Sequence, residues 1–465
     1  MNNFESKLDE SKLTKPMWFL WLLSAGLIAL DGFDFFIIGI ALPFLEKDFN
    51  LTTTQIGSIA VSAIIGSLIG SLTLGGITDK IGRQKMLLID VLIFIISSAG
   101  TALAWNAFSL IFFRFLVGVG IGADYPISVA YITENVPSRL RGRMVIGAFT
   151  FQAVGALFGA LTGIIIINIF TQIFPNSLDI LIKYGWRAML GIGLLLAIFV
   201  GFLRLQFLLE SPLYYIAKGD YKNAELAARE LLETDIIVNS ESDPQPEETN
   251  LNYSSLFSPK YIKNTLLASI PWFLQDIATY GIGIFTPTII AILAFNNQDN
   301  FIIRQIRSAQ GSAIVDLFLI IGFLVAVLLV DKVGRIPLQI IGFIGMALGL
   351  ILLGIAGDPN INQHPNFILV FSGFLVFNLL MNAGPNSTTF LLSGEIFPTS
   401  IRATGAGLAA AIAKSGAVLG TFLLPILRED LGVSNLLYIL AFSCLLAGIL
   451  TYFLRIETKG KTLEI

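Results

Sequence analysis

Charge is what this sequence has least of: Asp, Glu, Lys and Arg make up 13% of its 465 residues, against 55% hydrophobic ones, and the mean hydropathy is +0.79. A soluble chain of that length needs a charged surface that these proportions cannot supply, so the bilayer is its solvent. Cysteine is nearly absent. The single Cys444 falls in an apolar run with no partner for an internal disulfide, which removes redox chemistry. The single histidine, His364, lies in a polar loop, leaving carboxylates as the natural proton carriers of the apolar segments. No nucleophile and base pair, metal-ligating cluster or phosphate-cradling loop stands out. The chain therefore does not read as an enzyme, and no cofactor, metal or nucleic acid is expected.

What is there is a series of about twelve apolar runs, each near the roughly 20 residues needed to cross a bilayer. They fall at Met17–Leu42, Gln55–Ile77, Met86–Ala104, Phe108–Tyr131, Met144–Phe170 and Arg187–Leu208, then Asn264–Leu293, Ser312–Val330, Leu338–Ile355, Phe367–Leu391, Ile401–Ile426 and Leu436–Leu454. Basic residues occupy alternate loops: Lys7, Lys12 and Lys15; Lys80, Arg83 and Lys85; Arg139, Arg141 and Arg143; Lys332 and Arg335. By the positive-inside tendency these loops and both termini are expected on the cytoplasmic side of an inner or plasma membrane. The stretch Met1–Pro16 has no apolar core of its own, so the first helix is expected to be an uncleaved anchor.

One long polar segment, centred on the charged, proline-containing run Glu241–Glu248, reads as a linker. It divides the chain into residues 1–209, a cytoplasmic linker 210–263, and residues 264–465. The parts on either side echo each other. Asp79-Lys80-Ile81-Gly82-Arg83 is matched by Asp331-Lys332-Val333-Gly334-Arg335, and the spacing of Glu134, Pro137 and Arg141 by Glu395, Pro398 and Arg402. Two motifs recurring at equivalent places resemble the major facilitator superfamily over essentially the whole chain. That resemblance implies an all-α membrane protein of twelve transmembrane helices in two pseudo-symmetric six-helix bundles around a midplane cavity. It also gives Asp79, Gly82, Arg83, Glu134, Arg141, Asp331, Gly334, Arg335, Glu395 and Arg402 a reading as cytoplasmic gate motifs. Glycine allows the tight reversal, and the charges cross-link helix ends. A merely topogenic basic loop accounts for the Lys and Arg, though not for the Asp or the recurrence.

Intramembrane charges cost at least about 2.5–3.5 kcal/mol each, so every one calls for a reason. Asp31 and Asp34 lie mid-helix, three residues apart and nearly on one face, where two acids in low dielectric do not both ionise easily. Proton coupling is expected of them, with a structural ion-paired role as the alternative. Asp124 precedes Tyr125-Pro126, a proline expected to loosen the helix and let the carboxylate exchange a proton with a cavity. Arg114 can pair with an acid of the first or fourth span, and Asp90 can snorkel to the cytoplasmic face; both roles stay open.

Trp272, Asp276 and Tyr280 stack at steps of four along one helical stripe, and Lys414 is a lone cation in an apolar run. Pro385 breaks the tenth span beside Asn386. A buried lysine opposite a carboxylate suits a small anion that carries its own protons, and dihydrogen phosphate is such a ligand. Its oxygens can accept from Lys414, Asn386, Tyr125, Tyr280, Trp272 and Gln152, while its hydroxyls donate to Asp276. These motifs together, with Gly384–Phe390 and Glu395–Thr399, resemble the phosphate:proton symporters. The resemblance implies a substrate site at Asp124, Tyr125, Gln152, Trp272, Asp276, Tyr280, Asn386 and Lys414, and a proton route through Asp31, Asp34 and Asp124. A monomer importing phosphate with protons is expected. Asp31-Gly32-Phe33-Asp34 is also similar to aromatic-acid:proton symporters, which keeps an organic anion as an alternative. A non-transporting phosphate sensor is a more distant one.

Overall fold

The computed structural model describes residues 3–175, 177–207, 209–237, 253–294, 300–358, 367–397 and 401–459. The centre of the expected linker and His364 lie outside them. Every regular element among the described residues is helical. The chain begins with α1 (Asn3–Glu10), α2 (Lys15–Phe49), α3 (Thr53–Ile81), α4 (Arg83–Ala102), α5 (Ala107–Asn135), α6 (Ser138–Ile173) and α7 (Leu178–Leu205). Two short helices follow, α8 (Pro212–Ala217) and α9 (Tyr221–Leu232). The second part holds α10 (Ile262–Ile284), α11 (Thr286–Ala294), α12 (Phe301–Val333), α13 (Arg335–Gly357), α14 (Phe367–Ala383), α15 (Pro385–Glu395) and α16 (Arg402–Leu454).

Among the described residues, eleven stretches are long and apolar enough to cross a membrane. The twelfth expected span, α10 with α11, falls short by this measure; it is also the one carrying Trp272, Gln275, Asp276 and Tyr280. Helix starts are set locally. Thr52 with Gln55, and Asn106 with Ser109, form reciprocal capping boxes, so the first orphaned N–H groups of α3 and α5 are satisfied. The last long helix holds two spans. It turns at Gly432, whose φ of 77° and ψ of 163° suit a residue without Cβ.

Within the first bundle α2 packs on α6 and α7, α3 on α5, and α4 on α5 and α7; in the second, α10 packs on α16, α13 on α14 and α16, and α12 on α14. Two seams join the bundles, α6 against α12 and α3 against α16. Glycine sets the closeness of several packings: a Cβ on Gly66 would sit 2.0 Å from the Phe115 carbonyl oxygen, and one on Gly122 would sit 2.1 Å from that of Ser67. The close approach of α3 and α5 is thus backbone on backbone.

The duplicated motifs fold alike. Gly82 and Gly334 both turn at positive φ, 103° and 104°, between consecutive spans. Arg83 reaches Glu134 at 3.1 Å, and Arg335 reaches Glu395 at 2.9 Å. A further duplication joins them. Glu210 accepts from the backbone N–H groups of Arg83 and Gln84, while Glu457 accepts from those of Arg335 and Ile336. Each carboxylate therefore caps the N-terminus of the span after its glycine turn. Glu210, expected as the first linker residue, is buried in this network, where burial pushes its carboxyl above the ordinary range against the opposing effect of the Ser211 and Gln84 N–H groups.

Between the bundles on this side, Arg143 of α6 pairs with Asp331 of α12 at 3.0 Å. Arg141 instead donates to the Thr133 carbonyl. The side chains of Asp79 and Arg402 lie outside the described residues.

Candidate functional site

Lys414 reaches the interior because α16 is small-sided there. A Cβ on Gly416 would lie 2.3 Å from the Phe273 carbonyl oxygen, and one on Gly420 would lie 2.2 Å from that of Ile277, so α16 lies directly on the backbone of α10. That approach brings Lys414 to the stripe of Trp272, Asp276 and Tyr280. Its ammonium stands 3.2 Å from Asp276 Oδ2 and donates to the Tyr280 hydroxyl at 2.6 Å. Lys414 and Asp276 are 3% and 1% exposed. Lys414, lone among the apolar residues of its own run, is neutralised by the carboxylate four residues from Tyr280. An isolated ammonium in this environment would carry a large desolvation cost, which the pairing offsets.

The Trp272 indole N–H lies near the same carboxyl without a hydrogen bond of good geometry. It remains a buried donor without a well-formed partner. Across the bundle interface, Tyr125 of α5 accepts from Gln152 Nε2 of α6 at 2.7 Å, and the Lys414 ammonium is 5.4 Å from the Tyr125 ring. Tyr125 is also within electrostatic reach of Tyr280 and Asp276. The structure thus brings Tyr125, Gln152, Trp272, Asp276, Tyr280 and Lys414 to one place.

Asn386 is engaged differently. Its Oδ1 accepts from Gln275 Nε2 at 2.9 Å and its Nδ2 donates to Asn382 Oδ1 at 2.7 Å, while Thr389 donates to Gln275 Oε1. The tenth span breaks where the proline placed it, between α14 and α15 at Gly384–Pro385. The break turns this amide chain inward, beside Asp276 in sequence, with Asn386 committed to Gln275 and Asn382.

Aromatic rings pack around this group. Phe390 stacks on Phe149 at 4.2 Å, meets Trp272 edge-on at 4.6 Å and lies parallel to Tyr125 at 5.6 Å. Towards the other membrane face, Phe35 of α2 meets Tyr280 edge-on at 5.5 Å. Rings from both bundles thus exclude water around the ion pair, which strengthens every charge interaction inside.

The acids of the first bundle separate into two settings. Asp34 pairs with Arg114 at 3.2 Å, which answers the open question of that arginine's partner with an acid of the first span. Asp31 makes no ion pair among the described residues, and its electrostatic neighbours are Asp124, Asp90 and Asp34, with Lys414 as the opposite charge. Gly32 makes room for this: a Cβ there would lie 1.9 Å from the Gln152 carbonyl oxygen, so Asp31 and the Gln152 segment share one tight crossing. Asp124 accepts from Ser128 at 2.9 Å.

Two expectations about these acids are corrected. Helix α5 runs unbroken through Pro126, so the proline removes a backbone donor without opening the helix at Asp124. Asp90 is 2% exposed and does not snorkel; it lies against Gly120 with Asp124 and Arg204 as its charged neighbours.

Arg204, Gln275, Phe149 and Phe390 were not singled out from sequence. Arg204 is buried in α7, donates to the Leu23 carbonyl and is the basic neighbour of Asp90 and Asp124. Its signal was a basic residue within the apolar run Phe202–Leu205. Gln275 stood one residue before Asp276. The two phenylalanines gave no signal, since Phe occurs 37 times in the chain.

Comparison with known proteins adds the following. Residues 21–465 match the model of the family described as sugar (and other) transporter. The chain is 30% identical over 428 residues to low affinity inorganic phosphate transporter 4 of Petunia hybrida, covering 86% of this chain and 80% of that one. It is 31% identical over 480 residues to probable inorganic phosphate transporter 1-6 of Arabidopsis thaliana, covering 93% and 90%. It is 29% identical over 457 residues to the putative metabolite transport protein YaaU of Escherichia coli strain K12, covering 98% and 95%. Among solved structures, the proton:xylose symporter XylE bound to 6-bromo-6-deoxy-D-glucose superposes with a TM-score of 0.75 at 22% identity, covering 97% of this chain and 98% of that one.

Proposed function

Because this chain belongs to the sugar (and other) transporter family of the major facilitator superfamily, a family of multi-pass membrane carriers, we propose that it imports inorganic phosphate together with protons. The observation that carries this reading is the buried ion pair of Lys414 with Asp276, extended by Tyr280 and the underused Trp272 N–H. Such a group of charged and neutral donors beside one acceptor matches an anion that both accepts and donates hydrogen bonds. Dihydrogen phosphate takes donors from Lys414, Trp272, Tyr280 and Tyr125 and returns a hydroxyl proton to Asp276. Gln152 orients Tyr125, and Asn386 lends its amide when the Gln275 chain rearranges. The phosphate transporters of Petunia and Arabidopsis support the substrate class, while the xylose symporter supports the fold alone.

Proton coupling follows from charge counting. Asp90 and Asp124 share Arg204 as their buried countercharge, and Asp31 has only Lys414, which is already paired with Asp276, so the fully ionised set leaves excess negative charge in low dielectric. Asp31 and Asp124 exchange protons with the cavity, and Asp34, held by Arg114, fixes the position of the first span. Loaded and empty carriers rock easily; a partly loaded one holds an uncompensated charge and stalls. The gate motifs around Gly82 and Gly334, with Arg143 and Asp331 across the seam, hold the cytoplasmic side closed. Both termini are cytoplasmic, the carrier is a monomer of the inner or plasma membrane, and residues 210–263 link bundles 1–209 and 264–465.

Uptake of labelled phosphate into proteoliposomes under an imposed inward proton gradient tests the reading. Accumulation that collapses with a protonophore supports it. Absence of uptake by folded protein moves the substrate to an organic anion, which the aromatic walls of Phe35, Phe149 and Phe390 also suit, and a panel of competing anions then identifies the class.

A further inference from the structure

Asp316 is a membrane-embedded carboxylate that the site above does not use. It lies in the middle of α12, a helix of 33 residues, about 24 Å along the helix from either end. It is 7% exposed. Among the described residues it makes no ion pair and no hydrogen bond, in contrast to Asp34 with Arg114 and Asp276 with Lys414.

Among the described residues, the elements packed against α12 supply no countercharge at that depth. On α6 the titratable residues are Arg139, Arg141 and Arg143, all in the first two turns near Asp331; α11 and α14 carry none; α13 has Arg335 at its start and α15 has Glu395 at its end. On α12 itself the other charges are Arg304 and Arg307 near one end and Asp331 and Lys332 near the other. Instead, Asp316 continues a polar stripe at steps of four. Ser312 donates to the Ser308 carbonyl at 3.0 Å, and the Ser308 hydroxyl is buried without a hydrogen-bond partner. The stripe starts at Ser308, about two turns inside the Asn300 end of α12, and leads to the carboxyl.

The position also has consequences for motion. Helix α12 forms one of the two seams between the bundles, against the same α6 that carries Gln152. On its other side Gly322 lies against Asn382, where a Cβ would be 2.9 Å from that side chain, so α12 backs directly onto the amide chain leading to Asn386 and Gln275.

We propose that Asp316 is a further proton-binding carboxylate of the transport cycle, in the opposite bundle from Asp31 and Asp124. It is protonated while the α6–α12 seam is closed and exchanges its proton along the Ser308–Ser312 stripe when that seam parts towards the side away from the termini. An ionised carboxylate without a partner at mid-helix would resist closure, whereas the protonated acid can be buried. This inference rests on the transport reading. It adds one proton per cycle to those carried by the first bundle.

The experiment compares wild type with Asp316→Asn and Asp316→Glu. Infrared difference spectra of the purified full-length protein, without substrate, give a carboxylic-acid C=O band at neutral pH that Asp316→Asn removes and Asp316→Glu shifts. In proteoliposomes Asp316→Asn lowers the proton:phosphate ratio by one and reduces accumulation against a gradient, while phosphate exchange persists. An unchanged band in the variant overturns the protonated state. An unchanged ratio overturns the role in coupling, and sodium-dependent uptake lost in Asp316→Asn overturns the proton in favour of a bound cation. Where wild type moves no phosphate, the transport reading fails while the infrared arm still decides protonation. Should Asp316→Asn not fold, peptide mapping of wild type after a hydrophobic carbodiimide replaces it: modification at Asp316 is expected, and its absence overturns the proposal.

Discussion

Lys414 and Asp276 stand 3.2 Å apart with both side chains almost fully enclosed, the ammonium on α16 and the carboxylate on α10. Each is the condition for burying the other. Removing one partner, as in Lys414→Met or Asp276→Asn, leaves the other charge uncompensated and costs about 3–5 kcal/mol of stability. The double variant, with neither charge, regains most of that loss and does not bind phosphate. Thermal unfolding in detergent and equilibrium phosphate binding, measured on all three variants, separate stability from recognition.

Gly416→Val places a side chain against the Phe273 carbonyl, where even a Cβ would lie at 2.3 Å. Helices α10 and α16 must then separate, which carries Lys414 away from Asp276. A loss of about 1–3 kcal/mol is expected, with phosphate binding falling more than stability. Gly191→Ala, where a Cβ would meet nothing within 4 Å, serves as the control and leaves both nearly unchanged.

Arg143→Ala breaks a pair whose arginine side chain is 47% exposed. Its effect on unfolding stays within about 1 kcal/mol. The same energy acts on the balance between conformations, shifting it by up to about fivefold towards opening on the side of the termini. Faster thiol labelling of an introduced Ser393→Cys checks this, and an unaltered labelling rate would show that the pair does not hold the seam.

Glu210 gives a pH dependence outside the membrane-spanning segments. Burial raises its carboxyl pKa above the ordinary glutamate range, so the folded state binds this proton more tightly than the unfolded chain does. The stabilising contribution is fully present below the unfolded value and is lost as pH rises through the folded one. Glu210→Gln, which keeps one carbonyl acceptor where the carboxylate offers two oxygens to the Arg83 and Gln84 N–H groups, removes the titration and flattens that part of the stability profile. Midpoints of thermal unfolding from acidic to neutral pH, compared with wild type, provide the measurement.

The solvent, the number and approximate limits of the spans, and the duplication of the chain were legible in the sequence, because these depend on local apolar length and on repeated short motifs. Its spacing also aligned Trp272, Asp276 and Tyr280, since helical periodicity alone puts steps of four on one stripe. What periodicity cannot determine is which helix faces that stripe. The packing of helices paired Lys414 with Asp276 across 138 residues and Asp34 with Arg114 across 80, placed Arg204 beside Asp90 and Asp124, and left Asp316 without a countercharge among the described residues. The physical reason is range. Hydropathy and helix geometry act over a few neighbouring residues, whereas the countercharge of a buried group is chosen by the packing of whole helices, here fixed by backbone contacts at glycines such as Gly32, Gly416 and Gly420.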